Sequence, residues 1–566
     1  MSKKYVIIGG VAGGASTAAR LRRLDESAEI IMFEKGPHVS FSNCCLPYRL
    51  SEKITAHDDL VLMNPPQFHN QYNITARVNS EVIAIEKEGK RVLVKDLISG
   101  DEYMETYDKL ILAPGANAIV PPLKGHENAN VFIVKNVVDV AKLYDFVKGD
   151  NAVKKITVVG GGFIGVETAE NLKEAGFDVT LVEAQPQIMR PFDEDMVQIL
   201  HKELHDKGVK LVLGKMACEY QNSNLVLEDG TVVEGDAVVM AIGVKPDTAL
   251  AKEAGIKLSK TGHIKVNANW QTVTDSDIYA VGDAVEITFA LTQKTGGLPL
   301  AGPAQKQARQ AANHMYGWIS QNTGYIGSSC IKVFDYNAAA TGLTEVQCKD
   351  CDINYDIVYI IPQDKVGIMP NSAPFFFKVL YEVPTGKILG AQAISKGDSA
   401  KRVDIVATLI KFGGTLADMA DLELCYAPPF STAKDPTNMS ALVGMNLLGG
   451  KYKQIRVSEI RGLVESGAYI IDVREPHEYA LARINGAVNI PLSQIRDRLS
   501  EIPKDVPIYL HCRSAQRSYN ACLALIANGF DNVYNVSGGF LGLSFYEYFQ
   551  DQNQNREKVV SDYNFN

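Results

Sequence analysis

The chain has 566 residues, 46% apolar and 22% charged, with 57 Lys+Arg against 66 Asp+Glu for a formal charge of −9. That balance excludes a disordered, collagen-like or disulfide-scaffold chain and leaves room for about three to five packed domains. No long Lys/Arg run and no apolar stretch of ~18–20 residues occurs, so neither nucleic acid nor a membrane is an expected partner.

The N-terminal KKYVIIGGVAGG has the charge of a signal peptide, but glycines break its apolar run after four residues. It reads instead as a strand entering a helix. YVIIGGVAGGASTAARLRRL and the following EIIMFEKG form a strand–glycine loop–helix–strand unit. Gly9 and Gly14 hold the outer loop positions and Val11 the middle one, with Gly10 and Gly13 beside it and Ala12 at the helix start. Glu34, followed by Lys35, comes 20 residues after Gly14, where a carboxylate meets an adenosine ribose. SFSNCCLPY (Ser40–Tyr48) has Pro47 where it suits a first helical turn, which would put Cys44 at an N-terminus that favours a thiolate. YDKLILAPGA, with Ala113 and Gly115, is a buried strand ending in Pro-Gly.

KITVVGGGFIGVETAENLKEAG and DVTLVEAQP repeat the unit about 150 residues on. Gly160, Gly162 and Gly165 complete a GxGxxG, and Glu183 lies 18 residues beyond Gly165. No arginine immediately follows Glu183, as a 2′-phosphate would want, so NADH is favoured over NADPH. SDIYAVGDA then ends a strand at Gly282-Asp283, a carboxylate placed for a polyhydroxylated chain. An adenine site and an acidic ribitol site together indicate FAD. From about Tyr325 strand patterns alternate, with a hairpin turn at Pro384-Thr385-Gly386, and helical segments continue to about Gly450.

The last α/β unit carries IIDVREPHEY, ARINGAVNIP and LHCRSAQRS. A cysteine straight after a strand, with Arg517 closing the six-residue loop Cys512–Arg517 into a helix, resembles the rhodanese active site. Loop amides and the helix start would stabilise a thiolate or persulfide on Cys512. Ala515 stands where glycine is common. The closing FQDQNQNREKVVSDYNFN reads as a frayed helix or polar tail.

Over about residues 1–445 the arrangement resembles the two-dinucleotide flavoprotein disulfide reductases. The resemblance implies NADH on one flavin face, near Phe163, Ile164 and Glu167, and a redox cysteine on the other. There is no CxxxxC pair; SFSNCCLPY is similar to the SFxNCxLPY signature of coenzyme A disulfide reductases and NADH-dependent persulfide reductases. Cys44 is then the single redox centre, and Cys45 a bystander where relatives carry a small residue. The same resemblance implies coenzyme A contacts at Ser16, Arg20, Arg23, Ser40 and Asn43. It also gives YAPPFSTAKDP the roles of Tyr426, reaching Cys44 across a homodimer, and of Lys434. GIMPNS replaces a tyrosine-rich segment, and Tyr72 takes the place of a coenzyme-binding lysine; both bear on the coenzyme A preference.

The expected fold is α/β, with two nested Rossmann-like domains, an α+β dimerisation domain and a C-terminal rhodanese domain. Its parts are an FAD domain (1–115 and 250–324), an NADH domain (116–249), a dimerisation domain (325–448), the rhodanese (453–550) and a polar tail (551–566). The expected activity is NADH- and FAD-dependent reduction of small-thiol persulfides or polysulfides, with coenzyme A as substrate or bound ligand and a sulfane-carrying rhodanese. Alternatives are a coenzyme A disulfide reductase, or a sulfurtransferase module fused to an NADH oxidase. Nine thinly spread cysteines suit a reduced, cytoplasmic protein. No metal is expected: Cys348 and Cys351 read as a surface pair, and Cys218, Cys330, Cys425 and Cys522 as core.

Overall fold

Lys4–Ile8 is apolar at four consecutive positions, too continuous for a strand with one wet face. In this computed structural model, which describes residues 2–149, 153–319 and 322–565, it is the middle strand of a parallel sheet. The sheet order is 278–280, 109–112, 4–8, 29–33, 75–77. Val6 registers with Ile31 on one side and with Leu110 on the other. After Leu112 the chain builds a second parallel sheet containing, in order, 178–183, 155–159, 237–240 and 131–132. It returns through 244–246, which pairs antiparallel with 116–118, and strand 278–280 then rejoins the first sheet beside 109–112.

The two glycine loops are built alike. Gly9 and Gly160 have φ of +98° and +113°, and a Cβ on either would lie 2.0 and 2.3 Å from the carbonyl oxygen of Ala113 or Ala241. A Cβ on Gly14 or Gly165 would lie 1.8 Å from the carbonyl of Gly9 or Gly160. Only glycine permits these approaches of helix to strand.

The chain divides into two compact units, residues 1–184 with 215–325, and residues 185–214 with 326–566. In the second unit an antiparallel sheet runs 329–333, 336–342, 388–395, 375–382, 355–360, its expected hairpin joining 375–382 to 388–395. Lys378 is fully buried there, with its ammonium 2.7 Å from Asp195, 2.5 Å from Glu345 and 3.1 Å from Asp193. These carboxylates are spaced as metal ligands would be, but the lysine fills their centre.

A parallel sheet, 453–455, 533–536, 508–511, 469–472, 488–489, forms the C-terminal module. Arg456 bonds Glu345, Gln454 donates to the carbonyl of Ile357 at 2.7 Å, and Phe545 meets Phe376 edge-on at 5.0 Å. Gly538 and Gly542 lie against the Tyr359 ring, close enough that a Cβ on Gly538 would come within 2.8 Å of it. Helix Gly539–Gln554 is followed by residues that bond back: Asn485 N–H to Val559 and Ser561 N–H to Arg483. Tyr563 donates to Asp551 at 2.6 Å. The segment read as a frayed tail is therefore tied to the module.

Four cysteine expectations need correction. Cys218 and Cys330 are exposed, the first at a β-bulge between Ala217 and Glu219 and the second on a strand whose period-2 alternation turns it outward, and Cys425 is exposed in a loop. Cys348, read as part of a surface pair, is buried. Among the described residues no helix is long and apolar enough to cross a membrane.

Candidate functional site

Helices Ala12–Leu24 and Phe163–Glu174 begin at the glycine loops, and neither N-terminus has a side-chain cap or an acid in its first turn. Their free N–H groups and partial positive charge make both ends anion sites. Behind each loop a glutamate holds the second glycine: Glu34 accepts from Gly10 N–H at 2.9 Å, and Glu183 from Gly161 N–H at 2.6 Å. Lys35 points away, paired with Asp247 at 3.0 Å. Gly282 N–H donates to Gln307 at 2.6 Å, and burial raises the carboxyl of Asp283, eased by Lys135 at 3.9 Å. A Cβ on Gly115, Gly162 or Gly282 would meet open space, which leaves these backbones approachable by a ligand.

Cys44 does not begin an α-helix. Asn43–Cys45 and Pro47–Arg49 are two three-residue 3₁₀ turns, too short to build the expected dipole. The thiol is exposed yet crowded, and is pushed up by desolvation first, then by Glu167, Cys45 and Asp283, with Lys135 opposing. Glu167 is itself raised to about 7, chiefly by burial, against the hydrogen bond that Tyr48 donates at 3.4 Å. Three residues on, Ser51 donates to Asn171 at 2.6 Å, so the turn after Cys44 is fastened to the second glycine-loop helix.

Ser16, Arg20, Arg23 and Ser40 line one cavity of about 620 Å³, together with Tyr72, Gln305, Lys306 and Arg309. Its lining has four cations and no carboxylate. Arg20 is lowered below its ordinary value by burial and then by the like charges of Arg309 and Arg23. Asn43 is not among the lining residues, and its side-chain oxygen is buried without a partner. Tyr426, half exposed, and Lys434, exposed, belong to the second unit.

The second cysteine site lies in the C-terminal module. Cys512 is 1% exposed at the end of strand Ile508–His511. Its carbonyl accepts from Phe540 N–H at 2.8 Å, which anchors the loop to the following helix. Arg517 lies against the Cys512 sulfur and holds Glu478 through two bonds of 2.6 and 2.8 Å. Ala515 takes φ +71°, the left-handed conformation that glycine favours.

Residues 3–308 match the pyridine nucleotide-disulphide oxidoreductase family, 328–436 its dimerisation domain, and 457–544 the rhodanese-like domain. The chain belongs to the pyridine nucleotide-disulphide oxidoreductases. It is 32% identical to the coenzyme A disulfide reductase of Staphylococcus aureus (strain JH9), over 77% of this chain and 98% of that one. Reduced Bacillus anthracis CoADR-RHD superposes with a TM-score of 0.93 at 42% identity, covering 96% of this chain and 98% of that one. A NAD-dependent persulfide reductase from A. fulgidus superposes with a TM-score of 0.90 at 32% identity, covering 95% and 99%.

This pyridine nucleotide-disulphide oxidoreductase is thus an enzyme acting on sulfur groups, and its family's cofactors are FAD and NAD(P)H. Its residues fit both: two uncapped helix starts for pyrophosphates, glycine backbones open to a ligand, and Asp283 at a strand end. Sequence reasoning missed Lys306, Arg309, Tyr48 and Glu478. For the first two a signal existed: helix Ala301–Met315 carries cations three apart and no acid.

Proposed function

We propose that this oxidoreductase uses NADH and FAD to reduce small-thiol persulfides or polysulfides at Cys44, as a homodimer, while Cys512 carries sulfane sulfur. The observation that carries this reading is the fusion: a Cys512 loop of rhodanese type shares a chain with Cys44. A plain disulfide reductase has no use for a persulfide carrier. The likeness to a protein described as a NAD-dependent persulfide reductase supports the same choice. A second reading, reduction of coenzyme A disulfide, is favoured by curated relatives bearing that name.

Gly9–Gly14, Glu34, Ala113, Gly115, Gly282 and Asp283 would hold FAD, and Gly160–Gly165, Phe163, Ile164 and Glu183 would hold NADH, the two together supplying a pair of electrons to the sulfur site when bound. The cationic cavity supports a phosphate-bearing carrier such as coenzyme A, its phosphates met by Arg20, Arg23, Lys306 and Arg309 with Ser16 and Ser40 alongside. Cys44, as thiolate, attacks the sulfur–sulfur bond and expels a thiolate or hydrosulfide. Glu167, at about 7, holds a proton through the acid side of neutrality and so spares Cys44 a neighbouring charge. Tyr426 meets Cys44 across the dimer. At the second site Arg517 and the loop amides stabilise the Cys512 persulfide.

NADH oxidation with coenzyme A persulfide, polysulfide, coenzyme A disulfide and oxygen tests the reading, with stopped-flow flavin reoxidation for each. Persulfide or polysulfide should react fastest and oxygen slowest. A higher kcat/KM for coenzyme A disulfide selects the second reading. Oxygen as the fastest acceptor would leave an NADH oxidase with a sulfur-binding module.

A further inference from the structure

We infer that Arg513 is the specificity-determining residue of the Cys512 site: its guanidinium takes the doubly charged leaving group of an inorganic sulfane donor, thiosulfate or a polysulfide dianion. This rests on the reading of Cys512 as a sulfane carrier. It makes the loop an entry point for inorganic sulfur, distinct in ligand chemistry from the phosphate-reading cavity.

Three arginines cluster around the Cys512 loop, and two of them are matched by carboxylates. Arg474, 2% exposed, bonds Asp472 and the Ala482 carbonyl, each at 2.6 Å, with its guanidinium carbon 4.3 Å from the centre of the Phe540 ring. Arg517 is forked on Glu478 and lies against the sulfur itself. Arg513 has no such partner. Among the described residues its guanidinium makes no hydrogen bond or ion pair, and Glu478 acts on it only from beyond bonding distance. His511 is fully buried, and burial lowers its ring so that it adds no charge near neutrality. Of the three arginines, one cation is left over.

That cation is placed to meet a donor. Cys512 is 1% exposed, whereas Arg513 and Ser514 are partly exposed. The backbone beneath Arg513 is pinned: Leu541 N–H donates to its carbonyl at 2.9 Å, and a Cβ on Gly539 would lie 2.7 Å from that oxygen. The side chain is therefore anchored at its root while its fork can turn to an anion. Burial lowers the guanidinium, Glu478 opposes, and Arg474 and Arg517 add to the lowering, so an arriving anion relieves a cost that the free protein carries.

The chemistry decides which donor gains. The Cys512 thiolate attacks the outer sulfur of thiosulfate, a new sulfur–sulfur bond forms, and the old one breaks with its electron pair leaving on sulfite. Cys512 is then a persulfide anion, and charge is conserved. With tetrasulfide, trisulfide leaves in the place of sulfite. The donor is the oxidant in both cases, and both leaving groups are dianions. An organic persulfide with an uncharged substituent releases a thiolate bearing one charge. A cation fixed beside the sulfur stabilises charge as it develops, so Arg513 favours the dianions in the transition state.

The test loads oxidised holoenzyme, without NADH or oxygen, using thiosulfate, tetrasulfide or hydroxyethyl persulfide. An N-ethylmaleimide quench and mass spectrometry then follow the gain of one sulfur on the peptide bearing Cys512. Arg513→Gln should cut the second-order loading rate at least about tenfold for thiosulfate and tetrasulfide, and less than about threefold for hydroxyethyl persulfide. The separate thiosulfate and tetrasulfide arms tell the two sources of dianion apart. Arg513→Lys should recover most of the loss, since a point charge serves a compact dianion, whereas a merely structural defect would slow all donors alike. Equal losses for all three donors, or no loss for the dianions, would overturn the proposal. Sulfur loading elsewhere on the chain, undiminished in Cys512→Ser, would instead sink the reading of Cys512.

Discussion

Arg309→Ala probes the cationic cavity, because its effects on binding and on stability carry opposite signs. In the free protein burial first, and then the neighbouring charges of Arg309 and Arg23, lower the Arg20 guanidinium. Removing one relieves repulsion and should leave Tm unchanged or slightly higher. The same removal costs a phosphate-bearing substrate one charge-assisted hydrogen bond, about 1.5–3 kcal/mol when desolvated. Arg309 is exposed, so solvent and salt hold the loss near the lower end. At about 1.4 kcal/mol per decade, KM for coenzyme A persulfide should rise about tenfold, with kcat little changed. Inorganic polysulfide bears no phosphate, and its KM should not move. Steady-state NADH oxidation with both acceptors, at ionic strengths from ~0.01 to ~1 M, reads this out, since screening contracts from about 30 to about 3 Å over that range. Equal KM losses for the two acceptors, or a lowered Tm, would refute the assignment of the cavity to a phosphate.

Glu478→Gln removes the carboxylate that holds Arg517 by two bonds; thiosulfate-dependent sulfur transfer should fall about tenfold while reduction of coenzyme A persulfide persists. Ala515→Gly relieves a left-handed conformation costing about 1–2 kcal/mol, offset by about 0.5–1 kcal/mol of glycine flexibility, so calorimetry should find the protein unchanged or up to about 1.5 kcal/mol more stable. Ala515→Val at the same φ should destabilise it. Glu167 titrates in the folded protein at about 7, above its ordinary 4.5, so it binds a proton more readily folded than unfolded. Its contribution is complete below about pH 4.5 and is lost as pH rises through about 7. Glu167→Gln should therefore flatten that part of the stability–pH curve and be more stable at pH 8 by up to about 3 kcal/mol. Parallel curves for the two proteins would contradict this.

The glycine loops and the Cys512 loop were legible because their chemistry is local: a few consecutive residues decide the turn, the uncapped helix start and the nearby carboxylate. The cavity was half legible. Arg20 and Arg23 stand three apart on one helix, but Lys306 and Arg309 come from a helix nearly 300 residues away, which only the folded first sheet brings beside them. Pro47 misled in a different way. Its ring suits a first helical turn, yet Leu46 and Leu50 bury themselves through two successive 3₁₀ turns, and no dipole accumulates at Cys44. Cys218 and Cys330 sit in apolar surroundings in the sequence; strand alternation turned Cys330 to solvent, and a bulge at Cys218 broke the alternation that would have set it on the face of buried Tyr220.

The seating of Gly538, Gly542 and Phe545 on Tyr359 and Phe376, with Arg456 on Glu345, bears on how the two chemistries can be dissected. Cutting the gene after residue 448 would not subtract a passenger. It would strip an aromatic floor bare, leave Glu345 short of a cation beside an already carboxylate-rich cluster, and invite the truncated protein to aggregate through that floor. A loss of reductase activity in such a truncation would report damage to the remainder and not sulfur relay. Single-atom exchanges at Cys44 and Cys512 keep the floor covered, so they are the cleaner scalpel.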